Sequence, residues 1–333
     1  MSIYTENYSP QTDDSIGSGV SFIVIDADEA GQRLDNFLIA RLKGVPRSKI
    51  YNVIRKGEVR VNKGRVKPEY KLLAGDSLRI PPVRTAEAGT EAKASHQMMA
   101  LLNESILFED DGLLVVNKPP GLAVHGGSGI TLGLIETLRQ MRPESRCLEL
   151  VHRLDRDTSG CIMIAKKRSY LRYLQESLRQ KSAGEGGIDK IYQALVLGDW
   201  SKRCHQISAP LMKFEVAGGE RIVKVHPEGK PSLTVFKVLK RYVGFTLIEA
   251  RPITGRTHQI RVHAQYAGHP LAGDEKYGDD NINESLRTLG VRRLFLHASS
   301  LSFQVPGADE LLKVNAPLLS DLSGALMRLV EKE

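Results

Sequence analysis

The sequence predicts an α+β protein in two parts: a small basic unit of short helices and strands, then a larger part built on a mixed, mostly antiparallel sheet. Three observations predict it. Strand-like runs outnumber helical ones in the second part and do not alternate with them one by one, which argues against a doubly wound parallel sheet. A stretch from about Thr85 to Ala94 is rich in Ala, Glu, Gly and Thr, lacks large apolar residues, and has linker composition. The 333 residues are also about two domains' worth of chain.

Residues 1–20 are polar and turn-rich without periodicity and are expected to form a disordered tail. The first unit is placed at residues 21–85. Leu34, Phe37, Leu38, Ala40 and Leu42 recur at helical spacing until Gly44 and Pro46 stop the run. Ser48 is placed to cap a second helix in which Ile50, Val53 and Ile54 share a face, with Arg47, Lys49, Arg55 and Lys56 around the rest. Glu58–Asn62 alternates at period two, Lys63-Gly64 turns, and Asp76–Ile80 returns as a strand that Pro81-Pro82 ends. Residues 86–100 are assigned to the linker and 101–333 to the larger domain. There, Ser105–Asn117 reads as strand, turn, strand, followed by strands at Glu149–Asp155, Cys161–Ala165, Tyr192–Leu197, Ile222–Val225, Leu233–Leu239, Phe245–Arg251 and Leu301–Val305. Helices are expected at Leu132–Arg142, Tyr170–Lys181, Thr257–Ala267, with Thr254 or Thr257 as its cap, and Leu318–Lys332.

Composition narrows the function. Hydrophobic residues at 41% and charged residues at 26% describe an ordinary globular chain with a sizeable core. No apolar run approaches 18 residues, and Glu6, Asp13 and Asp14 stand where a secretion leader has positive charge, so neither a membrane span nor export is expected. Cys147, Cys161 and Cys204 form no CxxC pair, which suggests neither a disulfide framework nor a zinc cluster and fits the cytoplasm. The net charge of +8 is concentrated: Gly31–Thr85 holds 14 Lys and Arg against 4 acids, more than the whole excess. Such a block is the footprint of a polyanion, most often nucleic acid.

The densest polar constellation is Leu150–Gly160, where an apolar run leads into His152-Arg153-Leu154-Asp155-Arg156-Asp157 and a Thr-Ser-Gly turn hands the chain to a second apolar strand. Charges held between core segments form either a tight ion-pair network or a reactive centre. A second dense segment, Pro252–Gln265, carries Arg256, His258, Arg261 and His263. His258 and His263 are five residues apart, not the i, i+4 spacing of a shared metal face, so no metal is expected. His125–Gly129 reads as a backbone-flexible loop, since Ser128 lacks the second glycine of a GxSxG elbow. Neither a Walker A sequence nor a GxGxxG fingerprint occurs, which leaves nucleotide cofactors without support.

Several segments in order carry a resemblance: Asp110–His125 with Asn117-Lys-Pro-Pro-Gly121 inside it, Val151-His-Arg-Leu-Asp-Arg-Asp-Thr-Ser-Gly160, Lys190-Ile-Tyr192, and Thr254-Gly-Arg-Thr-His-Gln-Ile-Arg-Val-His263 followed by Gly268-His-Pro270. Together they resemble the RluA-type pseudouridine synthases, specifically the branch acting on large-subunit ribosomal RNA. The basic block, through Gly44–Lys49 and Arg55–Asn62, looks like an S4 RNA-binding domain. The resemblance implies isomerisation of specific uridines in 23S ribosomal RNA or a large-subunit precursor, by a monomer without metal or organic cofactor. It implies that Asp155 is the nucleophile, that Arg261 keeps it charged, that Tyr192 stacks on the uracil or acts as base, and that Arg153 assists base flipping. His152 joins Arg153 in substrate binding, and Arg47, Lys49, Arg55 and Lys56 are expected on phosphates. The Gly-rich stretch Lys181–Asp189 is expected to be a mobile loop, and Gly273–Gly278 offers no site residue. Two readings compete: a non-catalytic ribosome-assembly factor, and a metal-independent nuclease using His152 and Asp155.

Overall fold

The computed structural model describes residues 19–42, 44–83, 93–126, 132–145, 147–183, 187–201, 203–215 and 221–332. The expected tail up to Ser18, residues 86–92 of the expected linker, and most of the His125–Gly129 loop lie outside the described residues. The chain forms two compact units that divide between Glu91 and Ala92.

The first unit contains β1 (Ser21–Val24), α1 (Leu34–Arg41), α2 (Arg47–Arg55), β2 (Arg60–Val61) and β3 (Ser77–Ile80). Its sheet has the order β1-β3-β2 and is antiparallel. Ile50, Val53 and Ile54 of α2 are buried among Leu34, Leu38, Leu72, Leu78 and Ile80, at ~1.5–3 kcal/mol for each fully buried aliphatic side chain. This burial leaves Arg47, Lys49, Arg55 and Lys56 exposed. Helix α2 begins one residue before Ser48, with Pro46 at its N-cap and no side-chain cap. Proline presets the backbone for the first turn, so the serine is not needed there. The turn after β2 centres on Asn62 and Lys63, both at positive φ, rather than on Lys63-Gly64.

The second unit contains α3 (His96–Glu104), β4 (Ile106–Glu109), β5 (Leu113–Lys118), α4 (Leu134–Met141), β6 (Glu149–Leu150), β7 (Ser159–Ala165), α5 (Arg168–Ala183) and β8 (Asp189–Leu197). It continues through β9 (Gln206–Ser208), β10 (Leu211–Glu215), β11 (Arg221–Val225), β12 (Leu233–Tyr242), β13 (Phe245–Pro252), α6 (Gln259–Tyr266), α7 (Asp280–Thr288), β14 (Leu296–Gln304), β15 (Leu311–Asn315) and α8 (Ser320–Arg328). Helix α3 occupies the last residues of the expected linker, because Ser95 accepts from the Met98 amide and Leu102 is buried. Among the described residues ten strands form one sheet along β4-β5-β7-β14-β8-β13-β12-β9, with β6 on β7 and β15 on β14, and of these pairs only β7 and β14 run parallel. β10 and β11 form a separate hairpin.

β7 lies at the centre and is buried along its whole length. Ile162 and Ile164 face the cluster that holds α3, α4 and α6, whereas Cys161, Met163 and Ala165 face the cluster that holds α5. Gly160, the second residue of this strand, has φ +108°, and a Cβ there would stand 2.2 Å from the Ala298 carbonyl oxygen of β14. Only glycine permits that approach. The strand that follows the His-Arg-Leu-Asp segment is thereby fixed against the parallel neighbour.

Candidate active site

Asp155 sits in the loop between β6 and β7. The strand expected over Glu149–Asp155 is confined to Glu149–Leu150: the chain leaves the sheet at Val151, and Leu154 turns back into the core from the loop. The loop is fastened by Lys118 at the end of β5. Its fully buried ammonium donates to the carbonyls of Pro119 at 2.8 Å, Leu122 at 2.9 Å and Arg156 at 2.8 Å. Burial pulls the Lys118 pKa down to about 7, opposed by Asp157 and Asp155. Three carbonyl acceptors nonetheless use three N–H donors, the number only the charged form has.

Facing Asp155 is α6. Its N-terminal approach is set by Gln259, whose side-chain oxygen accepts from the Thr254 hydroxyl and the Arg256 amide and whose Nε2 donates to the Leu233 carbonyl and the Thr234 hydroxyl. Neither Thr254 nor Thr257 caps the helix. His258 occupies the N-cap in the left-handed conformation, with no side-chain cap. His263 is a structural ligand of the backbone, between the Thr234 hydroxyl at 2.9 Å and the Ala209 carbonyl at 3.0 Å.

The expected pair of Asp155 and Arg261 is present, with Arg261 Nη1 3.4 Å from Asp155 Oδ2. Arg261 has a second and closer partner. Its Nε and Nη2 donate to the two oxygens of Asp274 at 2.8 and 2.7 Å, a bidentate fork to a fully buried carboxylate. Asp274 lies in Gly273–Gly278, the segment from which the sequence reading draws no site residue. Burial opposes the guanidinium charge, but Asp274 outweighs it and raises the Arg261 pKa. Asp274 also accepts from the Lys276 and Tyr277 amides, and the Tyr277 ring lies 4.9 Å from the guanidinium. Asp155 itself keeps 30% of its side-chain surface, while the Arg261 side chain keeps 9%. The carboxylate therefore stands at an open edge with a buried cation behind it.

Asp155, Arg261, Tyr192, Arg153 and His152 line one cavity of about 530 Å³, together with Leu154, Ile253 and Leu296. Tyr192 is on β8 and its ring joins the cluster on the α6 side of the sheet. Burial raises the phenol pKa well above its ordinary value, so the hydroxyl keeps its proton. The His152 Nε2 accepts from the Met163 amide at 3.2 Å, which leaves Nδ1 carrying the proton, and Nδ1 has no hydrogen-bond partner. Burial pulls the His152 pKa down to about 3, and the ring is neutral. Arg153 is exposed at the cavity mouth. Lys190, two residues before Tyr192, lines the same wall, with its pKa pulled by burial to about 8. The stretch expected to be a mobile loop at Lys181–Asp189 is shorter: α5 runs to Ala183, Lys181 pairs with Asp189 at 2.5 Å, and residues 184–186 lie outside the described residues. Arg47, Lys49, Arg55 and Lys56 belong to the other unit and line no part of this cavity.

The model of the RNA pseudouridylate synthase family matches residues 112–266, a span that holds Asp155, Tyr192 and Arg261. The chain is 55% identical over 320 residues to ribosomal large subunit pseudouridine synthase C of Pasteurella multocida, covering 96% of each chain. The chain belongs to the RNA pseudouridylate synthase family. The Escherichia coli K12 relative of the same name is 56% identical over 313 residues, which are 93% of this chain and 97% of that one. Among solved structures, human RNA pseudouridylate synthase domain containing 4 aligns with a TM-score of 0.56 at 26% identity, covering 70% of this chain and 95% of that one. The S4 domain model matches residues 32–78, so this family member carries an S4 domain as its first unit. Among the described residues no helix is long and apolar enough to cross a membrane.

Proposed function

We propose that the protein isomerises uridines to pseudouridine in large-subunit ribosomal RNA, with Asp155 as nucleophile. The observation that carries the proposal is the Asp155 carboxylate 3.4 Å from Arg261 in a cavity that Leu154, Tyr192, Ile253 and Leu296 also line. The substrate class follows the name of relatives that are alike over nearly the whole chain. A carboxylate oxygen attacks C1′, the C1′–N1 bond breaks, and the electron pair leaves with the uracil. The ring rotates, C5 bonds to C1′ as the Asp155 ester breaks, C5 loses its proton and N1 gains one. Every bond made or broken lies within one nucleotide and the enzyme carboxylate, so no electrons are exchanged with another group.

The remaining cavity residues divide this work by chemistry. Tyr192, protonated and with its ring in the apolar wall, offers a stacking face for the uracil. Arg153 at the mouth can fill the gap left by an extruded base. In the first unit, Arg47, Lys49, Arg55 and Lys56 present four exposed cations on one short helix and its end.

Tritium release from C5-labelled uridine in precursor ribosomal RNA tests the reaction. Release without strand cleavage is the expected result; strand cleavage, or binding alone, overturns it. Replacing Arg47, Lys49, Arg55 and Lys56 by Gln is expected to weaken RNA binding and to lower the slope of log affinity against log salt by ~0.7–0.9 for each phosphate that is no longer neutralised. A filter-binding series at several salt concentrations reads it, and an unchanged slope removes these four residues from the interface.

A further inference from the structure

We propose that His258 is a positioning residue that aims the Asp155 carboxylate, with Tyr277 as the clamp that sets its imidazole. The inference rests on Asp155 being the nucleophile. The Val223 amide of β11 donates to the Tyr277 hydroxyl at 3.0 Å, and the same hydroxyl lies 2.7 Å from His258 Nδ1. The hydroxyl oxygen accepts from the amide, and we assign its own proton to the imidazole. His258 Nδ1 is then the acceptor, and Nε2 carries the ring proton. Burial lowers the His258 pKa, in keeping with a neutral ring.

That Nε2 stands 3.9 Å from Asp155 Oδ2. Arg261 Nη1 approaches the same oxygen at 3.4 Å. Arg261 thus hydrogen-bonds Oδ2, His258 Nε2 faces the same oxygen from beyond hydrogen-bond distance, and among the described residues no group hydrogen-bonds Oδ1. One oxygen is held and the other is left for attack. The backbone supports the assignment. His258 has φ +52°, and among the described residues the other non-glycine residues with positive φ, Asn62 and Lys63, sit in a hairpin turn that calls for it. No hairpin accounts for the strain at His258. A left-handed residue at this place swings the imidazole between Tyr277 and Asp155, and such strain is maintained where it serves the site.

His258→Asn tolerates the left-handed backbone and removes the Nε2 proton donor. The expected result is a kcat lower by on the order of 10- to 100-fold with KM within about twofold of the parent, the cost of a nucleophile displaced by a fraction of an ångström. His258→Gln, which can return an N–H toward Asp155, is expected to recover part of the loss. Tyr277→Phe is expected to lower kcat in the same way, and the double variant to be no worse than His258→Asn, because both act through one interaction. A kcat within about twofold of the parent in His258→Asn, beside an inactive Asp155→Asn, overturns the inference and leaves the nucleophile standing. A raised KM with unchanged kcat also overturns it. Turnover by Asp155→Asn would remove both at once. Should His258→Asn not fold, the kcat and KM of Tyr277→Phe decide on the same criterion.

Discussion

Asp155→Asn is expected to bind ribosomal RNA as the parent does and to lose turnover by on the order of 10⁴-fold or more, as removal of a covalent nucleophile does. The substitution is close to isosteric and lies at the open edge of the cavity. Arg261 retains its fork to Asp274, so no buried charge is left uncompensated. Binding and folding should survive, and the loss should fall on kcat. Parallel measurement of RNA affinity, thermal midpoint and tritium release separates these effects. Pseudouridine formed at the parent's rate would end the nucleophile assignment.

Asp274→Ala should be the most destabilising single change at the site. It strips a buried guanidinium of two charge-assisted hydrogen bonds and leaves the Lys276 and Tyr277 amides without their acceptor. Breaking a buried ion pair from one side costs ~3–5 kcal/mol. The second consequence is catalytic: freed from Asp274, Arg261 has Asp155 as its nearest carboxylate and can close the 3.4 Å approach into a tight fork. A nucleophile tied in that way is a poorer one. Denaturant unfolding followed by a probe in the second unit measures the first effect, and kcat of the folded fraction measures the second. Asp274→Asn, which keeps an acceptor but not the charge, should fall between. A variant with the parent's midpoint and the parent's kcat would show that the fork is dispensable.

The Asp155 loop and the Arg261 cation are legible in the sequence because each lies in a dense polar segment bounded by apolar runs, and the ordered motifs link the two. Asp274 is not legible, for a physical reason. Gly273–Gly278 is short and polar, without periodicity, and the tie of Asp274 to the site runs through a partner on a helix earlier in the chain. Gly273 holds the available signal: at φ +71°, with the Arg293 carbonyl oxygen 2.0 Å from a would-be Cβ, it marks a tightly packed turn. Spacing invites a comparison of His258 with His263 as metal ligands, yet the two rings serve different elements, one at Tyr277 and the other at Ala209. The strand expected to reach Asp155 shows how a run of Leu150, Val151 and Leu154 can be apolar for two unlike reasons, first a sheet position and then a loop anchor. Strands β9, β10 and β15 escape a sequence reading because runs of three to five residues carry little alternation.

Lys118 bears on how a charge map of this molecule should be interpreted. Counted among 47 Lys and Arg, it looks like one more hand for a phosphate. All three of its protons are already engaged by peptide oxygens, so it holds two loops together as a calcium ion might, and the nucleic acid meets none of it. A cation beside the Asp155 loop can thus be part of the masonry.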